Sequence, residues 1–197
     1  MIEAFFDGCC EPINPGGPAA YGAVILKDGV RIWETSRIFR PVKGHEGATS
    51  NNVAEYSGFQ SILIYLLDQG LNEEAIIVHG DSQLVIRQMF GGGGFRKKWQ
   101  IRGGHYAQIA FRCRELLKRF PRIRGEWIPR EENTLADELS KAQLIKAGVQ
   151  FRIQPLGDGH GKEYQKEKTQ LEKKEQVKDD TRDTEGSKRQ LQMDENG

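Results

Sequence analysis

Two acidic residues that follow short apolar segments could share a metal ion. Asp7 comes directly after Ile2–Phe6, and Asp81 follows the apolar segment that ends near Val78. If these segments are parallel neighbouring strands, both carboxylates lie side by side at one edge of the sheet, where open α/β folds bind their ligands. Two like charges so close together repel each other unless a cation lies between them. The pair therefore predicts a metal site.

Two further acids lie near the starts of predicted helices. Glu55 falls in the first turns of a long helix, and Asp137 falls in the first turns of the last helix. Each also has an ordinary explanation, because a helix N-terminus favours an acidic side chain. Asp7, which is followed by a glycine, could likewise be part of a turn. Taken singly, these residues leave both interpretations open.

The elements that must position these acids follow an α/β pattern. The sequence predicts a first strand, a hairpin closed by Asp28-Gly29, and a long helix capped by Ser50 and ended by Gly70. A strand over 75–78, two helices, a strand over 125–128 and a last helix capped by Asn133 follow. A hairpin joined to strand-helix-strand crossovers predicts a five-stranded mixed sheet, antiparallel at the hairpin and parallel elsewhere, flanked by helices. We expect the first strand to be central.

A strongly basic stretch lies within a chain that is nearly neutral overall. The 197 residues carry a formal net charge of +1, whereas the stretch from Arg87 to Arg130 holds twelve basic and two acidic side chains, hence +10. This charge is typical of a surface that binds a polyanion, although a solvated helix face with its loops has the same composition. Nucleic acid is the favoured partner.

Composition also limits where the chain is expected to act. No segment approaches the ~20 apolar residues needed to cross a bilayer, and the first residues lack the pattern of a secretion signal. The three cysteines form no C-x-x-C pair and have no histidine spaced for zinc, which predicts reduced thiols. We therefore expect a cytoplasmic location and no membrane partner.

Five local motifs taken together resemble the ribonuclease H type 1 family. They are Asp7-Gly8 with Asn14-Pro15-Gly16 and Tyr21-Gly22-Ala23, Ser50-Asn51-Asn52 before Glu55, Asp81-Ser82-Gln83, and Asn133 with Ala136-Asp137. They run in the family's order over about residues 1–146. The resemblance implies a ribonuclease H-like fold and an endonuclease that hydrolyses the RNA strand of RNA/DNA hybrids, leaving 5′-phosphate and 3′-hydroxyl ends.

The resemblance also implies roles for all four acids. Two Mg2+ ions, for which Mn2+ could substitute, would be held by Asp7, Glu55, Asp81 and Asp137. Asp7 would bridge both ions, and Asp137 would complete the ion that activates water. Glu55 and Asp81 would hold the ion near the leaving 3′ oxygen.

Further residues that match the family's motifs are implied to contact the hybrid. Asn14, Asn52 and Gln83 would lie in the minor groove, where the RNA 2′ hydroxyl both donates and accepts hydrogen bonds. Ser50 and Asn51 would lie near backbone and sugar. For Asn51 and Asn52, simple helix capping is an equally good explanation.

A basic segment occupies the position of the family's handle region, which grips phosphates of the DNA strand. Its residues are Arg96, Lys97, Lys98 and Trp99. Trp99 could pack against sugar, or it could form a hydrophobic lid on the helix that follows. This assignment makes the RNA/DNA hybrid the expected partner.

The sequence departs from the family before the last helix, where many members carry a histidine. The loop here contains Arg130 and Glu131 but no histidine, and either residue could substitute for it. A catalytically silent module that only binds nucleic acid therefore stays an alternative. A related nuclease or integrase that acts on DNA is disfavoured by the asparagine and glutamine set.

The chain is expected to divide into three parts. Residues 1–148 would form the ribonuclease H-like catalytic domain, and 149–160 would form a linker rich in Pro and Gly. Residues 161–197 are highly charged with few apolar side chains, which predicts a disordered tail. The tail could dock an unknown protein or aid solubility, and we expect the protein to be a monomer.

Overall fold

The computed structural model describes residues 1–91 and 98–152 and contains the predicted elements in the predicted order. The strands are β1 (Ile2–Cys10), β2 (Ala19–Lys27), β3 (Val30–Phe39), β4 (Ile76–Gly80) and β5 (Ile123–Trp127). The helices are α1 (Asn51–Asp68), α2 (Gln83–Met89), α3 (Ala107–Leu117) and α4 (Thr134–Lys146). Residues 1–152 form one compact unit.

The five strands form one mixed sheet in the order β3-β2-β1-β4-β5. The β1, β2 and β3 strands pair antiparallel, whereas β1 with β4 and β4 with β5 pair parallel. The hairpin between β2 and β3 turns through Asp28 at φ 51° and Gly29 at φ 78°. This arrangement confirms the predicted sheet and the central position of β1.

Helices α1 and α4 cover opposite faces of β1. Side chains alternate along a strand, so that Ile2, Ala4 and Phe6 face α1 and join its buried Phe59 and Leu63 in the main core. Residues between them point to the other face, where α4 lies. Functional side chains can therefore reach β1 from both sides.

Helix α1 begins and ends as the sequence predicts. Ser50 is its N-cap, and the Ser50 hydroxyl oxygen accepts a hydrogen bond from the backbone N–H of Val53 at 3.3 Å. Gln69 is the C-cap, and Gly70 follows at φ 66°. The defined start of the helix fixes the position of Glu55 in its second turn.

Strand β1 is longer than the sequence predicts. The expected strand ended at Phe6, but pairing with β2 continues through Asp7↔Gly22 to Cys10↔Ala19. Asp7 is therefore inside the strand and not after it. The pairing with a distant strand overrides the turn preference of the dipeptide Asp7-Gly8.

The packed unit continues past residue 148. Val149 and Phe151 pack against a cluster formed by Cys9, Ala20 and Leu144. The backbone N–H of Val149 also donates a hydrogen bond to the Leu144 carbonyl at 3.0 Å. The first residues of the stretch expected to be a linker thus contribute to packing, whereas residues 161–197 lie outside the described part of the chain.

The cysteines and the helices can be compared with the expectations drawn from composition. All three cysteines, Cys9, Cys10 and Cys113, are buried free thiols. Among the described residues, none of the helices combines the length and the apolar composition needed to cross a membrane.

Candidate active site

Three of the four predicted acids converge in the structure. Asp7, Glu55 and Asp81 each offer a carboxylate oxygen, and these oxygens lie within 4.8 Å of one another. Asp7 comes from β1, Glu55 from α1, and Asp81 directly follows β4. Because β1 and β4 pair parallel up to Phe5↔His79, the same register continued by two residues places Asp7 opposite Asp81.

Two glycines beside Asp7 allow both helices to approach the strands closely. A Cβ atom on Gly8 would lie 2.3 Å from the backbone nitrogen of Glu55, which brings α1 against β1. A Cβ atom on Gly22, the partner of Asp7 in β2, would lie 2.3 Å from the carbonyl oxygen of Ala136 in α4. Any larger residue at either position would push a helix that carries an acid away from the site.

Burial and like charges favour the protonated forms of two of these acids. Asp7 is 3% exposed, and burial raises its pKa from 3.8 to about 6, with Asp81 and Asp137 adding to the rise and a hydrogen bond from Ser140 opposing it. Burial first, and then the charges of Asp7 and Asp81, raise the pKa of Glu55 well above its usual value. The carboxylates of Asp7, Glu55 and Asp81 thus repel one another in a buried site.

The three converging acids fit a divalent metal ion. Glu55 is 8% exposed, and its Oε2 atom is buried without a hydrogen-bond partner among the described residues. A buried carboxylate oxygen without a donor is costly unless a cation compensates it. A set of donors made only of carboxylate oxygens suits a hard cation such as Mg2+. The identity of the ion stays a prediction.

Asn133 is the N-cap residue of α4, and its side chain contacts Asp81. The residue directly precedes α4 as predicted, but its side chain makes no capping hydrogen bond. Its amide nitrogen donates to the Phe6 carbonyl at 2.9 Å and to Asp81 Oδ1 at 3.0 Å. Asn133 thus occupies the predicted N-cap position, and its carbonyl accepts a hydrogen bond from the Asp137 N–H at 3.1 Å. Its side-chain oxygen, which would accept in a cap, is buried without a partner among the described residues.

Asp137, the fourth predicted acid, lies near Asp7 but is engaged by cations. It is close enough to raise the pKa of Asp7. Its Oδ1 accepts hydrogen bonds from Arg130, with Nη2 at 3.0 Å and Nε at 3.3 Å, and its Oδ2 lies 2.6 Å from the Lys141 ammonium group. Both carboxylate oxygens are thus paired with basic groups.

Sequence reasoning did not identify Ser140 and Lys141 as members of the site. Ser140 Oγ donates a hydrogen bond to Asp7 Oδ2 across the packed face of α4. Residues three and four positions after Asp137 lie on the same helix face as Asp137. That spacing is the signal that could have identified both residues.

Most of the residues predicted to contact nucleic acid lie in loops and at helix starts around the acids. The Asn51 backbone N–H donates to Asn14 Oδ1 at 3.1 Å, which ties the β1–β2 loop to the start of α1. Asn51 Oδ1 is buried without a partner among the described residues, so its side chain forms no cap there. Asn52 and Gln83 are exposed, and Ser50 is half-buried at its cap.

The basic segment is described only in part. Arg96 and Lys97 lie outside the described residues, and Lys98 is exposed. Trp99 is 40% exposed, and the Arg87 guanidinium lies 4.8 Å from the centre of its ring. The indole therefore packs against a side chain of α2.

A buried glutamine connects this segment to α1. The Tyr56 hydroxyl donates to Gln88 Oε1, and Gln88 Nε2 donates to the Gln100 carbonyl at 2.7 Å. Gln88 is 2% exposed, so the network is shielded from water. The residue next to Glu55 is thus linked to the backbone next to Trp99.

Comparison with known sequences gives one family match. The sequence model of the reverse transcriptase-like family matches residues 5–143. The bifunctional protein Rv2228c of Mycobacterium tuberculosis is 35% identical over 136 residues, which make up 68% of this chain and 33% of that protein. The chain therefore spans about a third of the length of this curated relative.

Solved structures show the same fold. The N-terminal RNase H domain of Rv2228c from Mycobacterium tuberculosis matches with a TM-score of 0.60 and 29% identity, covering 72% of this chain and 96% of that one. LC11-RNase H1, isolated from compost and solved in complex with an RNA/DNA hybrid, matches with a TM-score of 0.62 and 30% identity. That alignment covers 75% of this chain and 99% of the other. The predicted ribonuclease H-like fold is confirmed.

Proposed function

The chain belongs to the reverse transcriptase-like family, whose ribonuclease H fold it shares, and from this premise we propose that it is a ribonuclease H. It hydrolyses the RNA strand of RNA/DNA hybrids as an endonuclease and leaves 5′-phosphate and 3′-hydroxyl ends. The observation that carries the proposal is the convergence of Asp7, Glu55 and Asp81 within 4.8 Å, with an unpartnered buried oxygen on Glu55.

Two divalent ions, Mg2+ or alternatively Mn2+, complete the site. Asp7, Glu55 and Asp81 would hold them, and Asp137 would join after exchange of its ion pairs. When bound, such ions would supply activation of the attacking water and stabilisation of the leaving 3′ oxygen. The raised pKa values of Asp7 and Glu55 support this assignment, since a site that disfavours bare carboxylates gains most from a cation.

The residues around the acids bind and orient the hybrid. Asn14 lies in the β1–β2 loop, Asn52 at the start of α1 and Gln83 at the start of α2, and each can donate to and accept from an RNA 2′ hydroxyl. Ser50 and Asn51 contact backbone and sugar from the start of α1. These contacts select RNA over DNA in the cleaved strand.

The basic segment binds the second strand of the hybrid. Lys98 and Arg102 are exposed on the described part of this segment, and Arg96 and Lys97 complete it in the sequence. Phosphate contacts of this kind fix the register of the protein on the duplex without reading its sequence. Trp99, held on Arg87, offers an apolar surface to a sugar.

Arg130 lies beside Asp137, in the loop where many family members carry a histidine. Its guanidinium contacts Asp137 Oδ1 and also lies close enough to Asp7 and Asp81 to interact with their charges. A permanently charged group cannot carry a proton to or from the reaction at neutral pH. Arg130 therefore acts by binding phosphate or by holding Asp137.

A cleavage assay tests the proposal. A hybrid whose RNA strand carries a 5′ label is incubated with the protein in Mg2+, in Mn2+ and in EDTA. We expect cleavage within the RNA strand that needs the metal and is absent with Asp7→Asn. Single-stranded RNA, RNA duplex and DNA duplex controls should stay intact, and cleavage of the DNA duplex would instead identify a DNA nuclease.

One observation favours a second function, that of a catalytically silent nucleic-acid-binding module. Both oxygens of Asp137 are paired with basic groups, as expected for an acid with a purely structural role. Hybrid binding by gel shift, with no cleavage in either Mg2+ or Mn2+, would select this function over the first.

Three further properties are also predictions. They are a monomer, a cytoplasmic location, and a tail over 161–197 that docks a protein or aids solubility. Light scattering of the purified chain tests the first of these. A pull-down that compares the full chain with one ending at Arg152 tests the docking role.

A further inference from the structure

Ser140 is a polar residue at the centre of the packed face of α4. The buried residues of that helix are Ala136, Ser140 and Leu144, spaced four apart, and each is 0% exposed. An apolar residue would fill this position without leaving a hydroxyl to satisfy. A buried hydroxyl is tolerated only when it finds a hydrogen-bond partner.

The partner of Ser140 is the carboxylate at the centre of the site. Ser140 Oγ donates to Asp7 Oδ2, and it also lies 3.0 Å from the carbonyl oxygen of Asp137. A hydroxyl has one proton, and a carboxylate is a stronger acceptor than a backbone carbonyl because of its charge. The proton therefore points to Asp7.

Asp7 has no other hydrogen-bond donor among residues 1–91 and 98–152. A carboxylate with one held oxygen has a fixed orientation about its side-chain bonds, whereas a carboxylate without donors can rotate. Ser140 thus holds the Asp7 carboxylate in one orientation.

The same hydrogen bond joins two elements that carry acids of the site. Asp7 lies on β1, and Ser140 lies one turn after Asp137 on α4. Gly22 brings α4 close enough for the bond, since its missing Cβ would lie 2.8 Å from the backbone nitrogen of Ser140. A hydroxyl at this position therefore couples the placement of Asp137 to that of Asp7.

We propose that Ser140 is a positioning residue that holds the Asp7 carboxylate in the orientation that binds the divalent ions. The inference rests on the proposed function only in that Asp7 is taken as a metal ligand. Ser140 itself contacts neither metal nor substrate. Hydrogen-bond partners of ligating carboxylates typically change metal affinity by about ten-fold or more when removed.

The test compares Ser140→Ala with Ser61→Ala in the full chain. Ser61 is a matched control, because its hydroxyl also joins a helix to the sheet, by a 3.0 Å hydrogen bond to the Tyr21 hydroxyl, and it contacts none of the acids. Mn2+ binding is measured by titration calorimetry without nucleic acid. Hybrid cleavage is then measured against Mg2+ concentration and against hybrid concentration.

For Ser140→Ala we expect Mn2+ to bind about ten-fold more weakly and the half-saturating Mg2+ concentration to rise by a similar factor. The KM for the hybrid should change less than about two-fold, since Ser140 touches no substrate. Ser61→Ala should leave both metal readouts unchanged. If Ser140→Ala fails to fold, Ser140→Cys, which keeps the size but donates weakly, should show the same loss of Mn2+ affinity.

Mn2+ affinity within two-fold of the unmodified protein in the Ser140 variant would overturn the inference. An equal loss in Ser61→Ala would overturn it as well, since general loosening of the fold would then explain both. The calorimetry separates this inference from the proposed function: a chain that binds Mn2+ but cleaves no hybrid refutes the ribonuclease activity alone.

Discussion

Lys141 lies one turn after Asp137 in α4, and its ammonium group is 2.6 Å from the Asp137 carboxylate. Arg130 holds the other oxygen of the same carboxylate. The Asp137 and Lys141 side chains are only 14% and 28% exposed, so water screens the pair less than it would at the surface. A metal ion that binds Asp137 must compete with the charged side chains of Arg130 and Lys141.

Removing the lysine should therefore strengthen metal binding at the site. We expect Lys141→Gln to lower the half-saturating Mg2+ concentration by up to about five-fold, the equivalent of about 1 kcal/mol for one ion pair. Lys146→Gln is the control, because it makes the same change of net charge on an exposed part of α4. A Mg2+ requirement that rises in the Lys141 variant would show that the lysine supports the site.

Asp7 should destabilise the metal-free protein at neutral pH. Its pKa is raised from 3.8 to about 6 in the folded state, mainly by burial, so the folded protein binds this proton more tightly than the unfolded chain. The tighter binding of this proton therefore stabilises the folded state fully below about pH 4, and this contribution is lost as the pH rises through about 6. In EDTA, we expect the Tm of Asp7→Asn to decrease less from pH 5 to pH 7.5 than that of the unmodified protein.

The same substitution should separate stability from activity. At pH 7.5 in EDTA, Asp7→Asn should be more stable by about 2 to 3 kcal/mol. The variant no longer buries a charged carboxylate, and the rise of about two in the pKa of Asp7 corresponds to that free energy. It should nevertheless bind Mn2+ poorly and cleave no hybrid. Loss of stability in the variant would mean that the charge is compensated in the folded protein without metal.

Local sequence signals were sufficient for the elements and for part of the site. The hairpin at Asp28-Gly29 and the helix start at Ser50 follow from backbone preferences of those residues, and both were predicted correctly. The convergence of Asp7 and Asp81 followed from a parallel pairing that the crossover rule supplies. These features depend on neighbours in sequence or on simple topology.

Contacts across long stretches of the chain could not be predicted in the same way. Ser140 and Asp7 are 133 positions apart, and Asn133 and Asp81 are 52 apart. Asn133 has the ordinary sequence signature of a helix cap, and only the folded site shows that its side chain makes no capping hydrogen bond and donates to Phe6 and Asp81. The direction in which a side chain turns depends on the folded geometry, which periodicity does not contain.

Asn133 should contribute both stability and orientation to the site. Replacement by alanine removes the donor to the Phe6 carbonyl and to Asp81 Oδ1 and leaves the buried carbonyl unsatisfied. We expect Asn133→Ala to lose about 1 to 3 kcal/mol in urea unfolding and to cleave hybrid more slowly at saturating Mg2+. Unchanged stability would mean that water replaces the amide at both acceptors.

The end of the packed unit can be located by two truncations. A chain that ends at Arg152 keeps Val149 and Phe151 on the cluster with Leu144, and we expect its Tm to match that of the full chain. A chain that ends at Gly148 loses both half-buried side chains and should be less stable by about 1 to 3 kcal/mol. Equal stability of the two truncations would place the boundary at 148, as the sequence predicts.

Gln88 should affect hybrid binding more than the chemical step. Gln88→Leu removes the donor to the Gln100 carbonyl and the acceptor of the Tyr56 hydroxyl, so the backbone beside Lys98 and Trp99 is no longer held to α1. We expect the KM for the hybrid to rise several-fold and kcat to fall less than about two-fold, with a loss of stability of about 1 to 3 kcal/mol.

Gln143→Leu is the control for this change, because Gln143 Nε2 donates to Ser36 Oγ at 2.7 Å between α4 and β3. It also loses a side-chain hydrogen bond between two elements, but it lies on a different part of the fold from the basic segment. Its KM should therefore stay unchanged. A fall in kcat at constant KM for Gln88→Leu would instead indicate that the network acts on Glu55 through its neighbour Tyr56, and not on the segment that binds the DNA strand.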